Sequence, residues 1–224
     1  TLRNTLFPYT TLFRSVSGAY YPGVRIENIS FPLTIPAVQA ACCICLAEGD
    51  TPAQLIKANS DRLEQEPYWI AEFDLEVDAV EDIGSFKMHS YAFDSSRKAD
   101  KEALVQLLDD AITIHSDFPV SAFIFCENGE IFSGVNIEVS DWTQGICGER
   151  VALSKAISGG NREFNKMTLH TRKGEFSSPC GACRQVICEH LPKHRIVFYH
   201  ADGTRSDHFS NDLLPLSFTS TSLG

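Results

Sequence analysis

The stretch GVNIEVSDWTQGICGERVA, residues 134–152, has a counterpart 111 positions earlier: GVRIENISFPLTIPAVQAA, residues 23–41. The two lines share Gly, Val, Ile, Glu, Ile and Ala without a gap. They differ where chemistry is concerned. Pro36 stands opposite Cys147, and Val38 opposite Glu149. The chain therefore carries a repeated unit whose reactive side chains are present only in the second copy. A period of roughly 110 residues is a domain duplication, not a solenoid repeat.

The second copy is the easier to read. ADKEALVQLLDDAITIHSD places Leu104, Leu107, Leu108, Ala111 and Ile112 at helical spacing, as an amphipathic helix requires. PVSAFIFCENGEIFSGVNIE reads as a hairpin turning at Asn128-Gly129. CGERVALSKAISGG is a helix stopped by Gly159-Gly160. Then come a strand (EFNKMTLHT), a helix (CGACRQVICEHL), a strand (RIVFYH) and a short helix with a tail (FSNDLLPLSF). Strands alternating with helices imply a layered α/β domain, assigned to residues 99–224.

The first copy is thinner. GAYYPGVRIE reads as a strand and AVQAACCICLAEGD as a helix, giving an inactive, truncated repeat over 16–60. The acidic segment 61–98 lacks any C-x-x-C and reads as a connector with some structure of its own. Residues 1–15 are set aside, because TLFPYTTLFRS resembles the in-frame translation of a sequencing-library adapter. The alternative is a divergent first strand, since Phe7-Pro8 falls opposite Phe118-Pro119 at the same offset. Cys42, Cys43 and Cys45 fall opposite the body of the second copy's helix and read as small buried side chains rather than a metal site.

Composition narrows the function. The chain has 224 residues, 43% of them hydrophobic, and a formal charge of −10. That charge weighs against a nucleic-acid partner, whose affinity comes mainly from Lys and Arg. No apolar run reaches the roughly 20 residues of a membrane span. The start shows no secretion signal, so the eight cysteines read as reduced thiols or metal ligands in the cytoplasm.

The chemistry gathers in Cys147-Gly148-Glu149-Arg150 and Pro179-Cys180-Gly181-Ala182-Cys183. Cys180 and Cys183 lie on one side of a first helical turn, and Cys147 opens another helix. Helix N-termini favour thiolates. Catalytic zinc takes three protein ligands and keeps a fourth position for water. Three thiolates leave a zinc site with net negative charge, which Arg150 can offset. Glu149, two residues from a ligand, is placed to carry that water's proton. A closed structural zinc site, or three unrelated buried cysteines, is the alternative.

These motifs together resemble the cytidine deaminase family in its three-cysteine form. The match is good over about 100–220 and weaker over 16–50. The resemblance implies a three-layer α/β/α domain with a mixed sheet, preceded by a truncated degenerate copy. It implies zinc-dependent hydrolytic deamination of cytidine or 2′-deoxycytidine, as in pyrimidine salvage, with metal-activated water attacking C4 and Glu149 moving protons. Asn136 and Glu138 would bind the sugar, and Phe118 would pack on the pyrimidine. The Ser178 carbonyl would face the leaving ammonia. Phe218 would reach an active site, often a neighbouring subunit's. The two-domain members with one inactive half imply a homodimer. Four positions depart from the family's usual residues: Val139 stands in place of Asn, Gly148 of Ala, Ser121 of Gly and His115 of Tyr. Another amino-substituted base or nucleotide, or a non-catalytic zinc-stabilised domain, remains the alternative.

Overall fold

A computed structural model describes residues 11–58 and 63–217. The first unit runs β1 (Thr11–Ser15), β2 (Tyr20–Gly23), α1 (Ala37–Ala47), β3 (Pro52–Ala58), α2 (Glu66–Phe73) and β4 (Glu76–Val80). Its sheet has the order β2-β1-β3-β4, with β3 and β4 parallel and the other pairs antiparallel. The second unit runs α3 (Lys101–Leu107), β5 (Val120–Cys126), β6 (Ile131–Val135), α4 (Gly148–Ser158), β7 (Phe164–Thr171), α5 (Gly181–His190), β8 (Arg195–Tyr199), β9 (Arg205–Phe209) and α6 (Ser210–Leu213). Its order is β6-β5-β7-β8-β9, with only β7 and β8 parallel.

Strand alternation makes the second unit three-layered. Phe123 faces Ala103 and Leu104 of α3 on one side of β5. Ala122 and Ile124 face the other way, onto Ala152 and Leu153 of α4 and Val186 and Ile187 of α5. The helix predicted through residue 112 is shorter. Asp100 caps α3 through Ala103 N, and a 3-10 turn at Leu108–Asp110 closes it. Ile112 then leaves the helix because its backbone pairs with Ile137.

The repeat extends beyond its legible stretch. β1 pairs Phe13 with Tyr21, and β5 pairs Ile124 with Phe132, at the same offset of 111. Helices α1 and α4, the 3-10 turns Phe31–Leu33 and Trp142–Gln144, and the bridges Ile26↔Ile35 and Ile137↔Ile146 all keep that offset. Glycine is needed at two equivalent places: a Cβ at Gly23 would sit 2.2 Å from Ala37 O, and one at Gly134 2.3 Å from Gly148 O. Each lets a helix start lie directly on a strand.

Two sequence boundaries change. Residues 11–15 are not outside the fold: β1 is an inner strand, and Leu12 and Phe13 are fully buried. Residues 61–98 are more than a connector, because α2 and β4 stand where α5 and β8 stand in the second unit. Nothing among the described residues of the first unit corresponds to α3; there the chain at 83–88 covers the sheet, packing Ile83 with Leu12 and Ile56.

The two units share cores reciprocally. Val24, Ile26, Ile35 and Ala40 of the first unit pack into the cluster built on β5, β7 and α5. Their counterparts at the same offset, Val135, Ile137, Ile146 and Val151, pack with Phe13, Leu55 and Trp69 of the first unit. Each unit thus buries apolar surface that the other needs covered. Lys155 of α4, 1% exposed, pairs with Glu48 across the same boundary.

Candidate metal and catalytic site

Cys147 is the N-cap residue of α4, and Cys180 that of α5, where its sulfur accepts from Cys183 N at 3.4 Å. The two helix starts are brought together by their shared sheet. Cys147 Sγ and Cys180 Sγ are 3.7 Å apart, and the three ligand atoms of Cys147, Cys180 and Cys183 lie within 4.8 Å of one another. Tetrahedral zinc with Zn–S near 2.3 Å requires sulfur separations of about 3.8 Å. The donor set therefore fits zinc. Cys183 is buried, Cys147 half-buried and Cys180 exposed, so the cluster opens to solvent on one side. Hydrogen bonds from Cys147 and Cys183 hold the Cys180 thiol well below its usual range.

Glu149 is 3% exposed, and its Oε2 has no hydrogen-bond partner among the described residues. Burial pushes its carboxyl up to about 7. An unpartnered carboxylate oxygen is costly in a core. Beside three thiols open to solvent, it is what a metal-bound water would satisfy. Arg150 faces the same cluster. Burial opposes its charge, and Cys183, Cys147 and Cys180 more than offset that.

Asn136 and Glu138 are buried rather than on a solvent-facing strand edge. Asn136 Oδ1 accepts from Val120 N at 2.7 Å, and its Nδ2 donates to Phe118 O at 3.1 Å, fixing the chain beside Phe118. Glu138 accepts from the amides of His115 and Ser116 and from the Ser116 hydroxyl. Burial opposes its ionisation, and these donors more than offset it, so the carboxyl is held below its usual range. The Ile137↔Ile146 bridge sets Asn136 and Glu138 beside Cys147 at the two ends of one loop. Phe118 is half-buried, against Gly174. Ser178 Oγ accepts from Arg184 Nη2 at 2.6 Å. Phe218 lies outside the described residues. Cys42, Cys43 and Cys45 are buried in α1 and are not part of the cluster.

The sequence reading missed the supports beneath Cys180. Ser177 is fully buried; its amide donates to His200 Nδ1 at 3.1 Å, and its hydroxyl bonds Thr171 Oγ1 at 2.7 Å. The ends of β7 and β8 thereby fix the turn before Pro179. These partners are separated by over twenty residues in one case, and no local pattern marks them.

Residues 97–200 match the model of the cytidine and deoxycytidylate deaminase zinc-binding region. A cytidine deaminase of Halalkalibacterium halodurans is 34% identical over 120 residues, which are 53% of this chain and 90% of that protein. The chain belongs to the cytidine deaminase family. A cytidine deaminase of Sporosarcina psychrophila is 42% identical over 94 residues, 42% of this chain; the chain spans 63% of that relative's length. The crystal structure of cytidine deaminase from Burkholderia pseudomallei aligns with TM-score 0.50 and 32% identity, covering 52% of this chain and 94% of that one. The family's zinc-binding region thus coincides with the three-cysteine cluster, and the first unit lies outside the matched region.

Proposed function

We propose that the protein catalyses zinc-dependent hydrolytic deamination of cytidine or 2′-deoxycytidine to the corresponding uridine. The observation that carries this reading is the buried, unpartnered Oε2 of Glu149 beside three thiols at zinc-compatible spacing. Cys147, Cys180 and Cys183 would hold the metal, which when bound makes a water acidic near neutral pH. Glu149 takes one proton from the attacking water and delivers it to N3 of the pyrimidine; it then takes the second from the new C4 hydroxyl and gives it to the amine, which departs as ammonia as the C4 carbonyl forms. Its raised carboxyl suits a group that must both accept and release protons near pH 7. Arg150 offsets the thiolate charge.

Asn136 and Glu138 would bind the sugar while also fixing the chain. Among the described residues, Asn136 keeps one amide hydrogen after the backbone bonds above, and Glu138 Oε1 carries only the Ser116 bond. An ionised Glu138 repels a nearby phosphate, favouring a free nucleoside over a nucleotide. Phe118 would pack on the base, the Ser178 carbonyl would face the leaving ammonia, and Phe218 would close a site across a homodimer. Phe31 and Trp142, 83% and 62% exposed at equivalent places in the two units, give such a dimer apolar surface. All eight cysteines are free, in keeping with a reducing cytoplasm.

The test is direct. The purified chain is incubated with cytidine, deoxycytidine and deoxycytidine monophosphate, and ammonia release is followed together with zinc content. Release from the nucleosides is expected; a zinc-loaded chain that releases none refutes the reading.

A further inference from the structure

The loop 138–145 joins the two halves of the site. It leaves Glu138 at one end and enters Cys147 at the other, and the Ile137↔Ile146 bridge pins its base. Its outer part is held by the first unit. Glu72 of α2 accepts from Ser140 N at 2.8 Å and from the Ser140 hydroxyl. Tyr68, one turn earlier, accepts from Asp141 N at 3.2 Å and bonds Ser140 Oγ at 3.4 Å. Gln39 of α1, 6% exposed, donates to Gln144 O at 2.7 Å. Three side chains from the unit that has no chemistry therefore grip both shoulders of one loop.

We propose that Gln39, Tyr68 and Glu72 are positioning residues that set the loop between the sugar-binding and metal-binding ends of the catalytic site. The inference rests on the deaminase reading above. Burial opposes ionisation of Glu72, and the Ser140 hydroxyl and amide more than offset it, so the acceptor is charged and its bonds are of the stronger kind. The Gln39 bond is sheltered between the units. The loop's own contents explain why its position matters. Trp142 stacks on His115, whose amide binds Glu138 and whose ring Nε2 lies 2.8 Å from Val139 O. A shift of Ser140 or Gln144 is thus transmitted to Glu138 on one side and Cys147 on the other. The opposite contact is thinner: α5, the counterpart of α2, reaches the first unit's loop through His190 Nε2, 3.2 Å from Glu27 O.

The test uses the zinc-loaded full chain and two readouts. Hydrogen exchange is followed in peptides covering 138–146 and, as a reference, α5. Steady-state kinetics with cytidine are expressed per bound zinc. E72A and Q39A should speed exchange in the loop by roughly tenfold, the scale of one strong hydrogen bond, and leave α5 unchanged. KM should rise more than kcat falls, because Glu138 is displaced while Glu149 is not. Y68F, a milder change, should move both readouts in the same direction. E72Q, which keeps one acceptor oxygen and loses the charge, should recover part of the loss. The exposed D78A on β4 should alter neither. Unchanged loop exchange in both E72A and Q39A overturns the proposal, as does faster exchange with unaltered kinetics. A wild-type chain that turns over no nucleoside overturns the deaminase reading instead, and is recognised because loop exchange still responds to E72A.

Discussion

Replacing Glu149 by Gln separates proton transfer from everything else the site does. The side chains match in shape, and Glu149 is only 3% exposed, so no cavity forms. The new amide leaves a buried donor where Oε2 was unpartnered, costing about 1–3 kcal/mol. The same change removes the burial of a carboxyl that the core pushes up to about 7, which acts in the opposite direction. The two terms offset, and no ligand is lost. The melting temperature and zinc content should therefore stay near wild type. Turnover should not. One general acid–base group contributes about 10²- to 10⁴-fold, and in the proposed mechanism Glu149 serves several transfers in sequence. The expected loss is at or above the upper end, about 5.4 kcal/mol of barrier at 1.36 kcal/mol per tenfold. The assay is ammonia release from cytidine over a concentration series, with metal content measured on the same samples. A variant within a few-fold of wild type in kcat would refute Glu149 as the proton carrier.

Other outcomes test the remaining parts of the structure. C180A should lower zinc content and thermal stability together, because metal binding and folding are linked at such sites; full zinc occupancy would show that the ligands are misassigned. E48Q should destabilise the fold by about 2–3 kcal/mol in chemical denaturation, below the full cost of breaking a buried pair because Glu48 is 22% exposed. The double change E48Q/K155M should recover much of that loss, and an unaltered single variant would show that Lys155 does not depend on Glu48. Deleting residues 1–15 should sharply lower stability and shift tryptophan fluorescence as Trp69 loses its core, since β1 is inner and Leu12 and Phe13 are buried; a chain starting at Val16 with wild-type stability would remove β1 from the fold.

The legible parts of the chain were those whose signals are local. Gly159-Gly160 closes α4, Asn128-Gly129 turns β5 into β6, and the C-x-x-C spacing marks α5. The three-thiol cluster was legible because thiols at two helix starts carry their chemistry in their residue types. The missed elements have weak local patterns. β4 is EVDAV with mostly exposed side chains, and β9 is RSDHF, a polar edge strand. The Asp202-Gly203 turn before β9 is a hairpin signal that could have been read. β1 was obscured by its resemblance to an adapter translation, although its register with β2 repeats that of β5 with β6. Gln39, Tyr68, Glu72, Ser177 and His200 act through partners far along the chain, and a sequence pattern does not report tertiary contact.

The paired units show what replaces chemistry when chemistry is absent. Pro36 and Cys147 are the N-cap residues of equivalent helices, so the backbone slot survives the loss of the ligand. Val38 fills the slot of Glu149 and is fully buried among Ala41, Cys42 and Leu55, where an apolar side chain leaves no polar atom unsatisfied. The catalytic unit carries the opposite arrangement, with an unpartnered Oε2 in the same place. An unpaired buried oxygen of this kind costs about 1–3 kcal/mol. The reciprocal cores offset it, because Ile26 and Ile35 of the first unit are buried against the catalytic sheet. The third position makes the division of labour concrete. Arg150 turns its charge to the sulfurs, whereas its counterpart Gln39 has no sulfurs to face and reaches across to Gln144 O. A neutral donor suits a backbone carbonyl in a sheltered boundary, where an unpaired guanidinium would be costly. The residue in the place of Arg150 in the first unit thus holds the loop that leads to the three-thiol cluster in the second.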